Sequence, residues 1–373
     1  MITNKEILCQ KNIDINKGFF PEEIHLEDVL FFDIETTGLG PGNSRVFLIG
    51  VIEKNREDPY PVLIQFLAEE NTESEEMSLL RSFSALAQKK KHLVHFNGTT
   101  FDVPYLAHRC RYLGLDQSFS SLSQIDLYRE LSKLSPFFSQ MPDHKQKSYE
   151  NLMHYPRRDQ LSGKEMINFY QIYVKSKENN IQNLLLLHNQ DDLKGMLSLL
   201  PLGYLKDFFS GCFSVLEVQE IQESTLEGCQ IRHLLFSLEF PFSIPVRLSA
   251  AGNLCRISIE NSRGKIKMPL YEGTLKYFYP DYQNYYFLPY EDEAIHKSVA
   301  IYTDPSRRRK AKAAECYKKY TGTFVSAPGN LPLPLLKEHY KDSSTYALWP
   351  FKDSSPEFLR KYLLEILKWC RPL

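Results

Sequence analysis

The sequence has no excess of positive charge. Its 45 lysines and arginines against 46 aspartates and glutamates give a formal net charge of −1 over 373 residues. A chain of this balance has no overall basic field. If it binds nucleic acid, it must therefore do so through a local basic patch or through metal ions.

Paired cysteines and long apolar runs are also lacking. The seven cysteines are scattered without a Cys-x-x-Cys pair, which argues against a zinc site or a redox dithiol and fits a reducing cytosol. No run of about 18 apolar residues predicts a membrane span. The first 20 residues lack the apolar core of an export signal. We expect a cytoplasmic protein with no membrane segment.

The remaining composition is that of an ordinary globular protein, with 43% hydrophobic and 24% charged residues and no internal repeat. A chain of 373 residues exceeds what one hydrophobic core usually serves, so we predict two domains. Near Leu205 an alternation of strands and helices gives way to short segments of period 2. The prediction is an α/β domain over residues 1–204, with a mixed sheet flanked by helices, and a β-rich α+β domain over residues 205–373.

Two carboxylates stand one residue apart in a predicted strand, within FFDIETTGL at residues 31–39. Alternate side chains of a strand share a face, so Asp33 and Glu35 lie side by side while Phe32 faces apolar packing. Unpaired, the two charges repel; a hard divalent cation such as Mg²⁺ or Mn²⁺ would stabilise them. The alternative is a solvated pair on a surface strand. Gly38, which lets backbone approach a ligand closely, favours the metal site.

A third acid, Asp102, follows an Asn97-Gly98 turn in FNGTTFDVPYLAHR, just before a predicted helix. Aspartate often caps a helix, and alone that role would be favoured. The turn, together with Pro104, makes a longer pattern than a cap needs. Asp102 is therefore a candidate site residue.

A later helix, within LLLLHNQDDLKGMLSLL at residues 184–200, carries His188 and Asp192 four positions apart and hence on one face. Asp191 falls nearer Lys194, on a more polar side, so Asp192 is predicted to be the inward acid. A lone histidine on such a face is more often structural. The helix by itself leaves both roles open.

Together the three stretches resemble the motifs of the DEDD superfamily of 3′–5′ exonucleases, which have an RNase H-like fold. D-x-E on a first strand, N-G-x-x-F-D-x-P-x-L before a helix and a late helix with His and Asp occur here in the family's order. The resemblance covers about residues 29–202. It is closest to the bacterial YprB-type RNase H-like predicted exonucleases, whose segment before the last motif is similar to Leu161-Ser162-Gly163 and Tyr170.

The resemblance implies a two-metal nuclease that releases nucleoside 5′-monophosphates from the 3′ ends of DNA or RNA. The acids implied to hold two Mg²⁺ or Mn²⁺ ions are Asp33, Glu35, Asp102 and Asp192. The residues implied to contact the substrate strand are Thr36, Thr37, Leu39 and Asn97.

The pattern departs from the family at His188, which stands four residues before Asp192, where subfamilies carry Tyr four before the acid or His five before it. A histidine in that place can orient or deprotonate the attacking water, since histidine exchanges protons near neutral pH. Two alternatives stay open. One is an RNase H-like endonuclease; the other is a non-catalytic nucleic-acid-binding or scaffold protein that retains the fold.

The C-terminal half matches no motif of known chemistry. Residues 277–290 hold eight aromatics in fourteen positions, which could form strand core or stack bases. Residues 307–319 hold seven Lys or Arg in thirteen positions, and we predict a basic helix that contacts phosphate or faces solvent. Ser355-Pro356 is expected to start an amphipathic helix.

Overall fold

The computed structural model describes residues 1–8, 19–20, 24–224, 228, 230–329 and 331–369. They divide into two compact units, the first Met1–Asp207 with Ile244–Val246 and the second Phe208–Ser243 with Arg247–Leu373. The described cysteines at 110, 212 and 316 are free thiols, whereas those at 9, 229 and 370 lie outside the described residues. Within the described ranges, no helix combines the length and the apolar content that crossing a bilayer requires.

The first unit contains six strands and seven helices within the described residues, the last helix running over the boundary between the units. The strands are β1 (Ile2–Ile7), β2 (Val29–Thr36), β3 (Val46–Glu53), β4 (Val62–Leu67), β5 (His92–His95) and β6 (Ser123–Asp126). The helices are α1 (Glu73–Ala87), α2 (Asp102–Tyr112), α3 (Leu127–Ser132), α4 (Gln146–Leu152), α5 (Gly163–Ser176), α6 (Asn179–Leu199) and α7 (Tyr204–Phe209).

The strands form one mixed sheet in the order β1-β4-β3-β2-β5-β6. Strands β1, β4, β3 and β2 pair antiparallel, and β2, β5 and β6 pair parallel. This confirms the predicted mixed sheet. Strand β1 was missed, because its half-exposed residues give a weak apolar signal at the edge of the sheet.

Strand β2 is covered on both faces, which explains why it reads as an apolar run. On one face Phe32 packs against Phe83 of α1, with ring centroids 5.2 Å apart. On the other face Asn189 of α6 hydrogen-bonds to Asp33. Because alternate side chains share a face, Asp33 and Glu35 lie between the sheet and α6.

The second unit is rich in antiparallel strands, as predicted. The strands are β7 (Ser214–Ser224), β8 (Gln230–Ala251), β9 (Arg256–Phe278), β10 (Tyr285–Leu288), β11 (Glu293–His296), β12 (Arg309–Lys310), β13 (Tyr317–Ser326) and β14 (Tyr346–Trp349). The helices are α8 (Lys297–Ala300) and α9 (Pro356–Lys368). Two sheets form, in the orders β14-β13-β9-β8-β7 and β11-β10-β12.

Two predictions for this unit need correction. The short segments predicted between residues 230 and 259 belong to two long strands, β8 of 22 and β9 of 23 residues. The basic helix predicted over residues 307–319 is wrong: that stretch forms β12, a 3-10 turn and the start of β13. Strand pairing overrides helix propensity here, because β12 pairs with β10 and β13 pairs with β9. The predicted C-terminal helix is confirmed as α9, with Ser355 as its N-cap.

Candidate active site

The side-chain amide of Asn189 holds Asp33, and it fits there because the residue paired with Asp33 on β3 is a glycine. Asp33 pairs with Gly50, and a Cβ atom at Gly50 would lie 1.9 Å from Asn189 Oδ1. Asn189 Nδ2 donates to Asp33 Oδ2 at 2.9 Å, and Asn189 Oδ1 accepts from Gln65 Nε2 at 2.9 Å. Asn189 is fully buried. Sequence reasoning missed Asn189; the available signal was an amide inside an apolar helix.

Asp102 lies in the first turn of α2 with its carboxyl directed toward β2. The N-cap of α2 is Phe101, and the carboxyl of Asp102 accepts hydrogen bonds from the backbone of Asp102 and of Ile34 on β2. The turn before it is tight: Asn97 has a φ of 60°, and a Cβ atom at Gly98 would lie 3.0 Å from Asp102 Oδ2. Asp102 therefore contacts the strand that carries Asp33 and Glu35.

A buried acid outside the predicted motifs shapes that turn. Asp126, at the end of β6, accepts hydrogen bonds from the backbone N–H groups of Asn97 at 2.8 Å and Thr99 at 3.3 Å. It also caps α3 through the N–H of Tyr128. Asp126 thus supports the loop from which Asp102 emerges.

His188 lies between three carboxylates. Its Nδ1 atom is 2.8 Å from Asp159 Oδ2, and its Nε2 atom is 3.3 Å from Glu35 Oε1 and 3.4 Å from Asp192 Oδ2. A carboxylate only accepts hydrogen bonds, so Nδ1 carries the hydrogen and donates it to Asp159. Nε2 then faces Glu35 and Asp192. Asp159 lies on a loop that no predicted motif reached.

Arg157, from the same loop, binds the other oxygen of Asp192. Its Nη1 atom lies 2.8 Å from Asp192 Oδ1 and 3.0 Å from Glu150 Oε2, and its Nη2 atom lies 3.1 Å from Asp159 Oδ2. Although burial lowers it, the pKa of Arg157 is raised overall by Asp192 and Glu150. Arg157 therefore stays charged and restrains Asp192. Sequence reasoning missed it, since nothing local marks an arginine in a loop as buried.

Asp191 does not lie on a polar side, as the sequence suggested, but is only 1% exposed. Its Oδ2 atom accepts from the backbone N–H groups of Arg158 and Asp159, both at 2.7 Å. Tyr155 donates its hydroxyl to Asp191 Oδ1 at 3.3 Å. Asp191 thus anchors the loop that delivers Arg157 and Asp159, while Asp192 lies beside His188 and Glu35.

The acids interact strongly with one another. Burial raises the pKa of Asp33 well above its ordinary value, and repulsion from Asp192, Glu35 and Asp102 raises it further. The pKa of Glu35 is likewise raised by burial and then by Asp192 and Asp102. Burial is also the main reason that the pKa of Asp102 rises to about 7. The structure therefore brings the four predicted acids into one electrostatic cluster.

One part of this cluster has the spacing of a cation site. Ligand atoms of Glu35, His188 and Asp192 lie within 4.8 Å of one another. Asp33 and Asp102 lie outside that set, although the repulsion described above couples them to it. The candidate donors are thus carboxylate oxygens and one imidazole nitrogen.

The predicted substrate-contacting residues lie next to the acids in sequence, in the loop after β2 and the turn before α2. Thr36 donates its hydroxyl to the carbonyl of Gly38, and the hydroxyl of Thr37 accepts from the N–H of Arg45, both at 2.9 Å. Leu39 is 85% exposed. The side-chain oxygen of Asn97 accepts from the hydroxyl of Thr100 at 2.9 Å. Leu39 thus displays an apolar side chain, whereas the three polar residues already have hydrogen-bond partners.

Known structures and one family model are similar to parts of this chain. Among solved structures, E. coli exonuclease I with a 5cy-dA13 oligonucleotide is 11% identical, with a TM-score of 0.30 over 58% of this chain and 55% of that one. A family B DNA polymerase from the archaeon Pyrobaculum calidifontis is 15% identical, with a TM-score of 0.37 over 92% of this chain and 46% of that one. No curated protein matches in sequence. Residues 30–202, somewhat less than half of the chain, match the RNase_H_2 family model of the RNase_H superfamily.

Proposed function

We propose that this chain is a metal-dependent nuclease that removes nucleoside 5′-monophosphates from the 3′ ends of DNA or RNA. The observation that carries the proposal is the convergence of four carboxylates from β2, α2 and α6 into one cluster with mutual repulsion. The superfamily match over residues 30–202 supports a nuclease. The 3′ polarity and the closeness to the YprB-type group rest on the resemblance of the three motifs.

The donor set fits two Mg²⁺ or Mn²⁺ ions. Carboxylate oxygens are the ligands that these ions prefer. Burial, and after it repulsion between the acids, raises the pKa values of Asp33, Glu35 and Asp102, and bound cations would offset both effects. The residues that would hold the ions are Asp33, Glu35, Asp102 and Asp192. When bound, such ions supply charge against the phosphate oxygens and make water a stronger nucleophile near neutral pH.

His188 is the proposed general base of the reaction. With Nδ1 donating to Asp159, the Nε2 lone pair is available to take a proton from the attacking water. Its position between Glu35 and Asp192 places that lone pair among the proposed metal-binding oxygens. His188 and Asp159 thus act as a base and the group that orients it.

Two further residues keep the acids in place. Arg157 holds one oxygen of Asp192 through a 2.8 Å ion pair, and Asn189 holds Asp33 through a 2.9 Å hydrogen bond. Each leaves the second oxygen of its acid for another partner. Both are positioning residues in this proposal, since they act through the carboxylates.

Substrate contacts complete the proposal. Leu39 offers an exposed apolar contact to the terminal nucleotide. We assign the neighbouring Thr36 and Thr37 to the same nucleotide, and Asn97 to the substrate strand, on the resemblance. We propose a cytoplasmic location, since scattered cysteines without a Cys-x-x-Cys pair fit a reducing compartment.

The deciding experiment follows 5′-labelled and 3′-labelled single- and double-stranded DNA and RNA with Mg²⁺, Mn²⁺ or EDTA. We expect the wild-type chain to shorten strands from the 3′ end with metal only. Asp33→Asn should abolish release, whereas Glu57→Gln, a control at an exposed acid, should not. If wild type and Asp33→Asn release nucleotide equally, or neither releases any, the proposal is wrong. Internal cuts would replace it with the endonuclease alternative.

A further inference from the structure

The small sheet of the second unit displays aromatic rings and cations on one face. Tyr286 of β10 pairs with Lys310 of β12, so the two side chains share a face. Arg308 lies two residues before Lys310 with extended backbone, which puts it on that face as well. Phe287, on the opposite face, is buried against Tyr317.

Two guanidinium groups lie over tyrosine rings there. The Cζ atom of Arg308 is 5.1 Å from the ring centroid of Tyr286, and that of Arg307 is 5.9 Å from the centroid of Tyr290. Tyr290 is 83% exposed. We call the set of Tyr286, Tyr290, Arg307, Arg308 and Lys310 the Arg/Tyr surface. Its planar groups contact each other in pairs; Tyr290 and Arg307 are exposed, and Tyr286 and Arg308 are half-buried.

The cations of this surface have no carboxylate partner. Among the described residues, no acid lies within ion-pair distance of Arg307, Arg308 or Lys310. Two acids near these cations in sequence are engaged elsewhere: Glu315 pairs with Arg309, and Asp304 accepts from Ser306. Residues 307–319 contain seven basic residues and one acid. The surface therefore carries a local positive charge that a polyanion can neutralise.

We propose that the Arg/Tyr surface binds single-stranded nucleic acid. Unpaired cations attract phosphates, and exposed tyrosine and guanidinium planes stack on unpaired bases, which a duplex hides within its own stack. An acidic protein segment would neutralise the cations but leave the planar groups without partners. The proposal rests on the proposed nuclease function and deepens it, because it names a single strand as the preferred substrate.

The test measures binding of a fluorescein-labelled oligothymidylate of about 20 nucleotides to the full chain in EDTA, by anisotropy at several salt concentrations. Each phosphate contact contributes about 0.7 to the slope of log K against log salt for a single strand. Arg307→Glu with Arg308→Glu should therefore weaken binding at least tenfold and lower the slope by about 1.4. The control, Lys352→Glu with Arg360→Glu, reverses two exposed cations of the same unit.

A second variant tests stacking without changing charge. Tyr290→Ala should weaken binding about fivefold or more with an unchanged salt slope. Trp369→Ala, at a side chain 64% exposed in the same unit, is its control. Equal affinity of the wild type and both Arg/Tyr variants, or equal loss in the controls, overturns the proposal. Tighter wild-type binding to a duplex of equal length overturns it too.

These measurements are independent of catalysis. The p-nitrophenyl ester of thymidine 5′-monophosphate is a small substrate whose hydrolysis requires no binding of a strand. Its hydrolysis by wild type, but not by Asp33→Asn, would report the activity of the carboxylate cluster alone. If the wild type hydrolyses the ester and the Arg/Tyr variants bind the oligothymidylate as tightly as the wild type does, only the proposed role of the Arg/Tyr surface is refuted. If the Arg/Tyr variants bind the strand more weakly but the wild type hydrolyses no substrate, only the proposed nuclease function is refuted.

Discussion

The Nδ1 atom of His188 donates to Oδ2 of Asp159 over 2.8 Å, across 29 residues of sequence. This bond fixes which ring nitrogen carries the hydrogen and turns Nε2 toward Glu35 and Asp192. A histidine that the sequence left between a structural and a catalytic role therefore has the arrangement of an oriented base.

Asp159→Asn should lower kcat about 10- to 100-fold, because an uncharged amide no longer supports the proton on Nδ1 of His188. Affinity for an oligonucleotide measured in EDTA should stay within a factor of two. Lys147→Met is the matched control, since Lys147 contacts Asp159 at 3.5 Å but does not contact His188. A kcat that is equal in the wild type and Asp159→Asn would show that the bond has no catalytic role.

Arg157→Met should reduce the free energy of unfolding by about 3 kcal/mol, because it leaves Asp192 and Glu150 without their buried counter-ion. Urea titration followed by far-UV circular dichroism measures the change. Arg158→Met removes an exposed arginine at the next position and should change stability by less than about 0.5 kcal/mol. Equal stability of the two variants would contradict the restraining role of Arg157.

Gly50→Ala should destabilise the protein by about 1 to 3 kcal/mol and lower activity, since the new methyl group would displace Asn189 from Asp33. The control is Gly40→Ala, where a Cβ atom would meet no atom within 4 Å. Thermal unfolding and the nuclease assay report the two effects. A Gly50→Ala protein as stable and active as Gly40→Ala would refute the close approach of α6 to β3.

Asp102→Asn tests the cost of burying a charged carboxyl group in the cluster. The pKa of Asp102, about 7 because burial disfavours its charge, exceeds its ordinary value of 3.8. A raised pKa means that the protonated form stabilises the metal-free fold below the unfolded pKa, and that this contribution is lost as pH rises through about 7. Without metal at about pH 8, Asp102→Asn should therefore melt at a higher temperature than wild type.

Near pH 5 the advantage of Asp102→Asn should shrink, because wild-type Asp102 is then protonated. Added Mg²⁺ should raise the melting temperature of wild type more than that of the variant, through linkage to binding. A melting-temperature difference that is the same at both pH values would show that the folded state holds no extra proton between pH 5 and pH 8, so that the pKa of Asp102 is not raised.

The secondary structure was predictable where periodicity is local and strong. Strand β2 is buried on both faces, and its sequence is an apolar run. Helix α9 is buried on one face, and its sequence has an amphipathic pattern. The wrong prediction of a helix at residues 307–319 also has a physical cause. Basic residues favour a helix in isolation, but pairing of Lys310 with Tyr286 and burial of Tyr317 select extended structure.

The sequence alone determined which of these side chains share a face. Asp33 and Glu35 do so because side chains on a strand repeat every two residues. His188 and Asp192 do so because side chains on a helix repeat about every four residues. Tertiary structure decided what surrounds them. Which atoms Asp159, Arg157 and Asn189 bind depends on loops and helices meeting across the sheet, and no local period encodes such long-range contacts. The burial that raises the pKa values of the acids likewise exists only when the chain is folded.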